Sequence, residues 1–225
     1  MNRVAVTTDR FDDVAGCFVE VGLEPVELPC IEVEPVSPDQ LAETRDLTSR
    51  ADVLIVTSPR VVSLLWPHGG MPDVDTAAVG PSTAAAVARA GGRVSLTGEA
   101  GLAGLADLAL DRLDGRRVVV AHAAGSDPAG LSQLRANAPD LEERVVYRSV
   151  PMAPETVEID AVAFASPSAV EGWVLARDLE DVVVGAIGAT TADAIARHRA
   201  PDVIAATPSY PALAESIATF MEVKV

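Results

Sequence analysis

The chain has 225 residues, 49% of them hydrophobic and 22% charged, a globular balance that excludes bulk disorder and leaves room for one or two domains. It carries 33 acidic against 17 basic residues, a formal charge of −16, with 4% aromatics, so the basic footprint and the stacking platform of a nucleic-acid binder are both missing. Cys17 and Cys30 are too few for a disulfide scaffold or a cysteine-built zinc site, and no apolar run has the length of a signal-peptide core or a membrane span, so the expectation is a soluble, cytoplasmic protein.

Short Val- and Ile-rich runs alternate with helical stretches along the chain. Val4–Val6 reads as a strand buried on both faces, and Arg10 follows its end. Ile31-Glu32-Val33-Glu34, among Pro29, Pro35 and Pro38, reads as an extended connector. Val53–Val56 is the next buried strand. It runs into Thr57-Ser58-Pro59-Arg60, where Ser58 suits a helix N-cap and Pro59 the first helical residue. In Val79-Gly80-Pro81-Ser82-Thr83 a glycine leaves a strand and hydroxyl residues open a helix over 81–90. The segment 98–104, with Gly98, Gly101 and Gly104, fits neither a Walker loop nor a dinucleotide fingerprint and reads as a loop.

Beyond Gly115, Val118–Val120 is a further strand, and His122 is a lone histidine expected at the surface or as a cap. Val145-Val146-Tyr147-Arg148, among Pro139, Pro151 and Pro154, is a second connector. Its Tyr147 reads either as a packed strand aromatic or as a phenol able to donate a proton. Phe164-Ala165-Ser166-Pro167-Ser168 repeats the Ser-Pro turn. The strand Val182–Ile187 then leads to Gly188-Ala189-Thr190-Thr191, which opens a helix over 189–199. Alternation of this kind defines an α/β protein whose parallel sheets are flanked by helices.

The chain also repeats itself. Ser58 and Ser166, Gly80 and Gly188, and Leu105 and Leu213 are each 108 positions apart, and Arg3-Val4-Ala5-Val6 returns 114 positions later as Arg117-Val118-Val119-Val120. The four helix openings at Ser58, Gly80, Ser166 and Gly188 suit capping. The same geometry also turns backbone N–H groups and hydroxyls toward an anion at the carboxyl ends of strands, and four of them together favour an anionic ligand. Arg10 and Arg60 add planar donors suited to carboxylates. His68, His122 and His198 are scattered and form no metal constellation.

Thr57-Ser58-Pro59, Val79-Gly80-Pro81-Ser82-Thr83-Ala84, Val146-Tyr147-Arg148, Phe164-Ala165-Ser166-Pro167-Ser168-Ala169-Val170 and Ile187-Gly188-Ala189-Thr190-Thr191-Ala192, in this order over nearly the whole chain, resemble the uroporphyrinogen-III synthase family. The resemblance implies two α/β lobes, residues 1–33 with 151–225 in one and 37–145 in the other. A two-stranded linker, 34–36 and 146–150, joins them, with the active site between the lobes. It implies a cofactor-independent, cyclising hydro-lyase of tetrapyrrole and haem biosynthesis, which converts hydroxymethylbilane to uroporphyrinogen III with inversion of the last pyrrole ring. The partner is then a polycarboxylate tetrapyrrole substrate, with no metal, no nucleic acid and no membrane, and the protein is a monomer.

Tyr147 matches the family's tyrosine, which assists departure of the substrate hydroxyl, and Ser166 and Thr191 match hydroxyls of its cleft. The substrate-binding set expected from the resemblance is Arg10, Ser58, Arg60, Gly80, Ser82, Thr83, Ser166, Ser168, Gly188, Thr190 and Thr191. Thr7-Thr8-Asp9 and His122-Ala123 stand where the family often carries Thr-Arg-Pro and Arg-Gly, so two loops have less positive charge to meet carboxylates. The competing reading is a non-catalytic, anion-binding or regulatory module of the same fold.

Overall fold

A computed structural model describes residues 1–98 and 101–223, with 110–112 described by backbone alone. The strands in chain order are β1 (Arg3–Val6), β2 (Glu24–Glu27), β3 (Ile31–Pro35), β4 (Val53–Val56), β5 (Asp75–Val79), β6 (Arg93–Gly98), β7 (Val118–Ala123), β8 (Leu141–Pro151), β9 (Ala161–Phe164), β10 (Val183–Ala186) and β11 (Val203–Ile204). The helices are α1 (Phe11–Glu20), α2 (Pro38–Thr48), α3 (Pro59–Leu65), α4 (Pro81–Arg89), α5 (Gly101–Leu113), α6 (Pro128–Asn137), α7 (Pro167–Trp173), α8 (Ala189–Ala196) and α9 (Tyr210–Val223).

The chain divides into two compact units: unit 1 is Met1–Glu32 together with the chain from Ser149 onward, and unit 2 is Val33–Arg148. The sheet of unit 1 has the order β11-β10-β9-β1-β2, with every pair parallel. Its central strands are buried along their length because both faces are covered. Val4 and Val6 pack with Phe18 of α1 and Leu213 and Ile217 of α9. Ala5, Val162 and Phe164 pack on the other face with Val170 and Trp173 of α7 and Ile195 of α8. The two faces are the two parities of a period-2 strand.

Unit 2 repeats this plan in the order β3-β8-β7-β4-β5-β6. Leu54, Val56, Val119 and Ala121 pack with Val61, Val62 and Leu65 of α3 and Val87 of α4, while Val53, Ile55, Val118 and Val120 pack with α5 and α6. Each buried Val, Leu or Ile side chain contributes about 1.5–3 kcal/mol.

In each unit the strand order reverses beside the first central strand. β1 lies between β2 and β9, and β4 lies between β5 and β7. Such switch points open crevices at the carboxyl ends of the strands, where ligands of open α/β sheets sit.

The segment 98–104 is not a loop throughout. α5 begins at Gly101, while Glu99 and Ala100 lie outside the described residues. Leu102, Leu105, Ala106, Ala109 and Leu113 recur at helical spacing and are all buried, and this period outweighs the glycine content. Cys30 is fully buried, and burial pushes its thiol up to about 12 against the opposing pull of Arg177, so it acts as a small apolar residue. Nearby, Gly172 of α7 lies so close to the Cys30 and Met152 carbonyls that a Cβ there would run into backbone. The Met152 N–H donates to the Cys30 carbonyl at 2.9 Å, so the two chain segments meet over this glycine.

Candidate active site

The hydroxyl motifs all fall at strand carboxyl ends. In unit 2, Ser58 follows β4 in extended conformation (φ −156°, ψ 156°), and its Oγ caps α3 by accepting the Val61 N–H at 3.3 Å. The same Oγ lies 3.2 Å from Tyr147 Oη. Arg60, one residue into α3, holds its guanidinium carbon 5.4 Å from the centre of the Tyr147 ring, a cation–π distance. Tyr147 is 6% exposed, so little of the residue meets solvent.

A β-bulge brings Tyr147 to this place. Between β7 and β8 the register runs His122 to Val145 and then Ala123 to Tyr147, passing over Val146. The extra residue returns Tyr147 to the parity of Ala123, on the face that packs against α3, and Val146 joins the same core. With a regular ladder, Tyr147 would face α5 and α6. The Ala124 N–H then donates to the Tyr147 carbonyl at 2.8 Å and fixes the backbone.

The next strand end is Gly80, which caps α4 at φ 81°, a left-handed conformation that favours glycine. Ser82 is exposed and Thr83 is buried. Unit 1 presents the counterparts. Ser166 caps α7 with nearly the same backbone angles as Ser58 (φ −156°, ψ 155°) and accepts the Ala169 N–H at 3.2 Å. Ser168 is half-buried beside it, Thr190 is exposed, and Thr191 is buried like Thr83. Gly188, unlike Gly80, is extended (φ −177°), so its place in the motif does not require glycine. Arg10 is turned onto its own helix, with Nε donating to Asp13 Oδ2 at 2.7 Å.

The structure thus joins Ser58, Arg60 and Tyr147 in direct contact. Gly80, Ser82 and Thr83 open the helix after the adjacent strand β5, and in unit 1 Arg10, Ser166, Ser168, Gly188, Thr190 and Thr191 line the ends of β1, β9 and β10. Two threonines beside this set are new as site features. Thr7 donates to the Ala163 carbonyl at 2.9 Å across the switch from β1 to β9, and Thr57 to the Ala121 carbonyl at 3.4 Å across the switch from β4 to β7. Their signal in the sequence is a threonine directly after a buried valine run. His122 is not a surface residue: it is buried, its Nδ1–H donates to the Ala123 carbonyl at 2.8 Å, and its Nε2 lies 4.0 Å from Glu143 Oε2 without a hydrogen bond. Val118, Val120 and His122 share one strand parity, and that parity faces the core.

A two-unit, parallel α/β protein with hydroxyl-bearing helix openings at its switch points, one of them carrying a buried tyrosine, is of the open α/β class whose ligand crevices lie at strand ends. The family model described as uroporphyrinogen-III synthase HemD matches residues 12–215, and the chain belongs to this family, the cyclases that form uroporphyrinogen III in haem biosynthesis. The fold is similar to that of a mutant uroporphyrinogen III synthase from Thermus thermophilus, with 21% identity and a TM-score of 0.65 over 99% of this chain and 100% of that one. It is also similar to uroporphyrinogen-III synthetase from Helicobacter pylori, with 18% identity and a TM-score of 0.68 over 97% and 99%. Against curated protein sequences the chain has no significant match. No helix among the described residues is long and apolar enough to cross a membrane.

Proposed function

We propose that this chain closes hydroxymethylbilane to uroporphyrinogen III as a cofactor-independent hydro-lyase, with Tyr147 as the proton donor to the departing hydroxyl. The reaction expels water and forms a carbon–carbon bond without change of oxidation state, so acid assistance and positioning suffice for it. The observation that carries the assignment is Tyr147 itself: a buried phenol, aimed by a bulge and hydrogen-bonded at a strand-end serine.

The substrate's carboxylates are taken by Ser82 and Thr83 at α4 and by Thr190 and Thr191 at α8, where hydroxyls accompany open backbone N–H groups. Arg60, Ser166, Ser168, Gly80 and Gly188 complete the binding set, and Ser58 stands beside them in contact with Tyr147. Arg10 joins it by exchanging Asp13 for a substrate carboxylate. The protein acts as a cytoplasmic monomer, and its charge of −16 disfavours nucleic acid as a partner.

The test is a coupled assay with freshly made hydroxymethylbilane and separation of the isomers. Isomer III as the principal product supports the reading. Isomer I at the rate seen in buffer alone would leave a binding module in its place.

A further inference from the structure

We propose that Ser58 is a positioning residue for Tyr147: it holds the phenol and supplies the hydrogen bond that the phenol oxygen needs once its proton is gone. The inference rests on the reading of Tyr147 as proton donor. Ser58 Oγ is shared between the Val61 N–H at 3.3 Å and Tyr147 Oη at 3.2 Å. A serine hydroxyl offers one proton and two lone pairs. Val61 occupies a lone pair, which leaves the proton to be directed at Tyr147. Before proton transfer either oxygen can donate to the other. After it, the phenolate has no proton and Ser58 alone can donate.

The Tyr147 proton passes to the hydroxyl oxygen of the substrate, and the carbon–oxygen bond breaks with its electron pair on that oxygen. Water leaves, and the terminal pyrrole carries the positive charge. The cationic carbon bonds the substituted α-carbon of the last ring, the bond from that α-carbon to its original bridge breaks, and the bridge carbon bonds the free α-carbon of the same ring. The proton lost from that free α-carbon returns the phenolate to phenol, so the net change is inversion of the ring and loss of one water. In the interval the Ser58 O–H bonds a charged oxygen, and this bond strengthens as the charge develops. The Arg60 guanidinium beside the ring adds positive charge in the same place.

Ser166 provides a comparison inside the same molecule. It stands 108 positions later with nearly the same backbone angles and the same capping bond, while Tyr147 Oη lies at Ser58. A cap is therefore sufficient reason for a serine at both places, and the contact with Tyr147 is an additional feature of Ser58.

The experiment measures kcat, KM and thermal midpoint for Ser58→Gly, Ser58→Thr, Tyr147→Phe and the Ser58→Gly/Tyr147→Phe double variant. Glycine is tolerated at N-caps, so Ser58→Gly keeps the helix start. The expected result is a loss in kcat of about 10- to 100-fold in Ser58→Gly, the effect of one hydrogen bond to a charged group, with KM within about twofold. Ser58→Thr restores most of the rate, and the double variant is no slower than Tyr147→Phe alone. Ser166→Gly, combined with Tyr147→Phe, multiplies instead. Full kcat in Ser58→Gly beside a slow Tyr147→Phe overturns the inference and leaves the tyrosine in place. A rise in KM alone makes Ser58 a substrate contact and overturns it too, as does a double variant slowed by the product of the single effects. Full activity of Tyr147→Phe overturns the reading on which the inference stands.

Discussion

Asp52 Oδ2 accepts the backbone N–H of Arg117 at 2.9 Å, while the Asp52 N–H donates to the Arg117 carbonyl, also at 2.9 Å. The same exchange joins Asp160 and Arg3, at 2.7 and 2.8 Å. One reciprocal latch therefore closes the amino ends of the central strand pair in each unit, and it is built from the two repeated motifs of the sequence.

The latch makes stability depend on acid. The Arg117 backbone N–H, then its side chain, hold the Asp52 carboxyl below the usual carboxylate range. A carboxyl whose pKa is lower in the folded state contributes stability that is present above its unfolded value, about 3.9, and lost as pH falls through the folded value. Asp75, held low by the Ser95 hydroxyl and then by Arg116, acts in the same sense. Urea unfolding of Asp52→Asn should show a shallower loss of stability below about pH 4 than the parent protein. An unchanged slope would remove Asp52 from the acid response.

Thr191→Val tests the hydroxyls of unit 1. Valine has nearly the shape of threonine, and Thr191 is 1% exposed, so the helix should remain in place. Loss of a hydrogen bond to a carboxylate is worth about 1.5–3 kcal/mol, or about 10- to 100-fold in turnover or affinity. Normal activity with a lowered thermal midpoint would make the residue structural.

The two motif glycines should separate on stability. Gly80 sits at φ 81°, so Gly80→Ala costs about 1–2 kcal/mol although nothing lies within 4 Å of the new methyl group. Gly188 is extended, and a Cβ there meets Pro208 at an ordinary 3.7 Å. Gly188→Ala should leave the urea midpoint unchanged or raise it slightly, because alanine has less freedom to lose on folding. Equal losses in both variants would contradict the backbone argument.

Gly172→Ala should be the most disruptive small change. Its methyl group would meet the carbonyl oxygens of Cys30 and Met152, which are backbone and cannot rotate away. Overpacking of this kind costs about 1–3 kcal/mol, to be read as a shift of the urea midpoint. A variant as stable as the parent would mean that the Cys30 and Met152 segments move apart freely.

The fold class was legible because Val4–Val6, Val53–Val56 and Val118–Val120 are continuous apolar runs, and strands buried on both faces demand them. Segment 98–104 misled because glycine content is a weaker signal than helical period, and the buried Leu102, Leu105 and Ala109 carried that period. Among the candidate site residues, the serine caps could be read from Ser-Pro pairs. The contact between Ser58 and Tyr147 could not, since it depends on a one-residue register shift that leaves no mark in the composition of β8. His122 lies inside because burial follows the parity of its strand, while the residue type alone suggests the surface.

The discontinuity of unit 1 has a consequence for synthesis. Unit 2 is one uninterrupted stretch and can close while later residues are still being added. Unit 1 cannot. Arg3 bonds Asp160, 157 positions further on, so β1 leaves the ribosome long before β9 exists to pair with it. Throughout that interval an apolar strand has a free edge, which neighbouring nascent chains can engage. The hazard is greatest when many ribosomes share a message, and it ends when β9 arrives. Yield on rapid expression is then governed by waiting time at the N-terminal strand, separately from how firmly the finished protein resists unfolding.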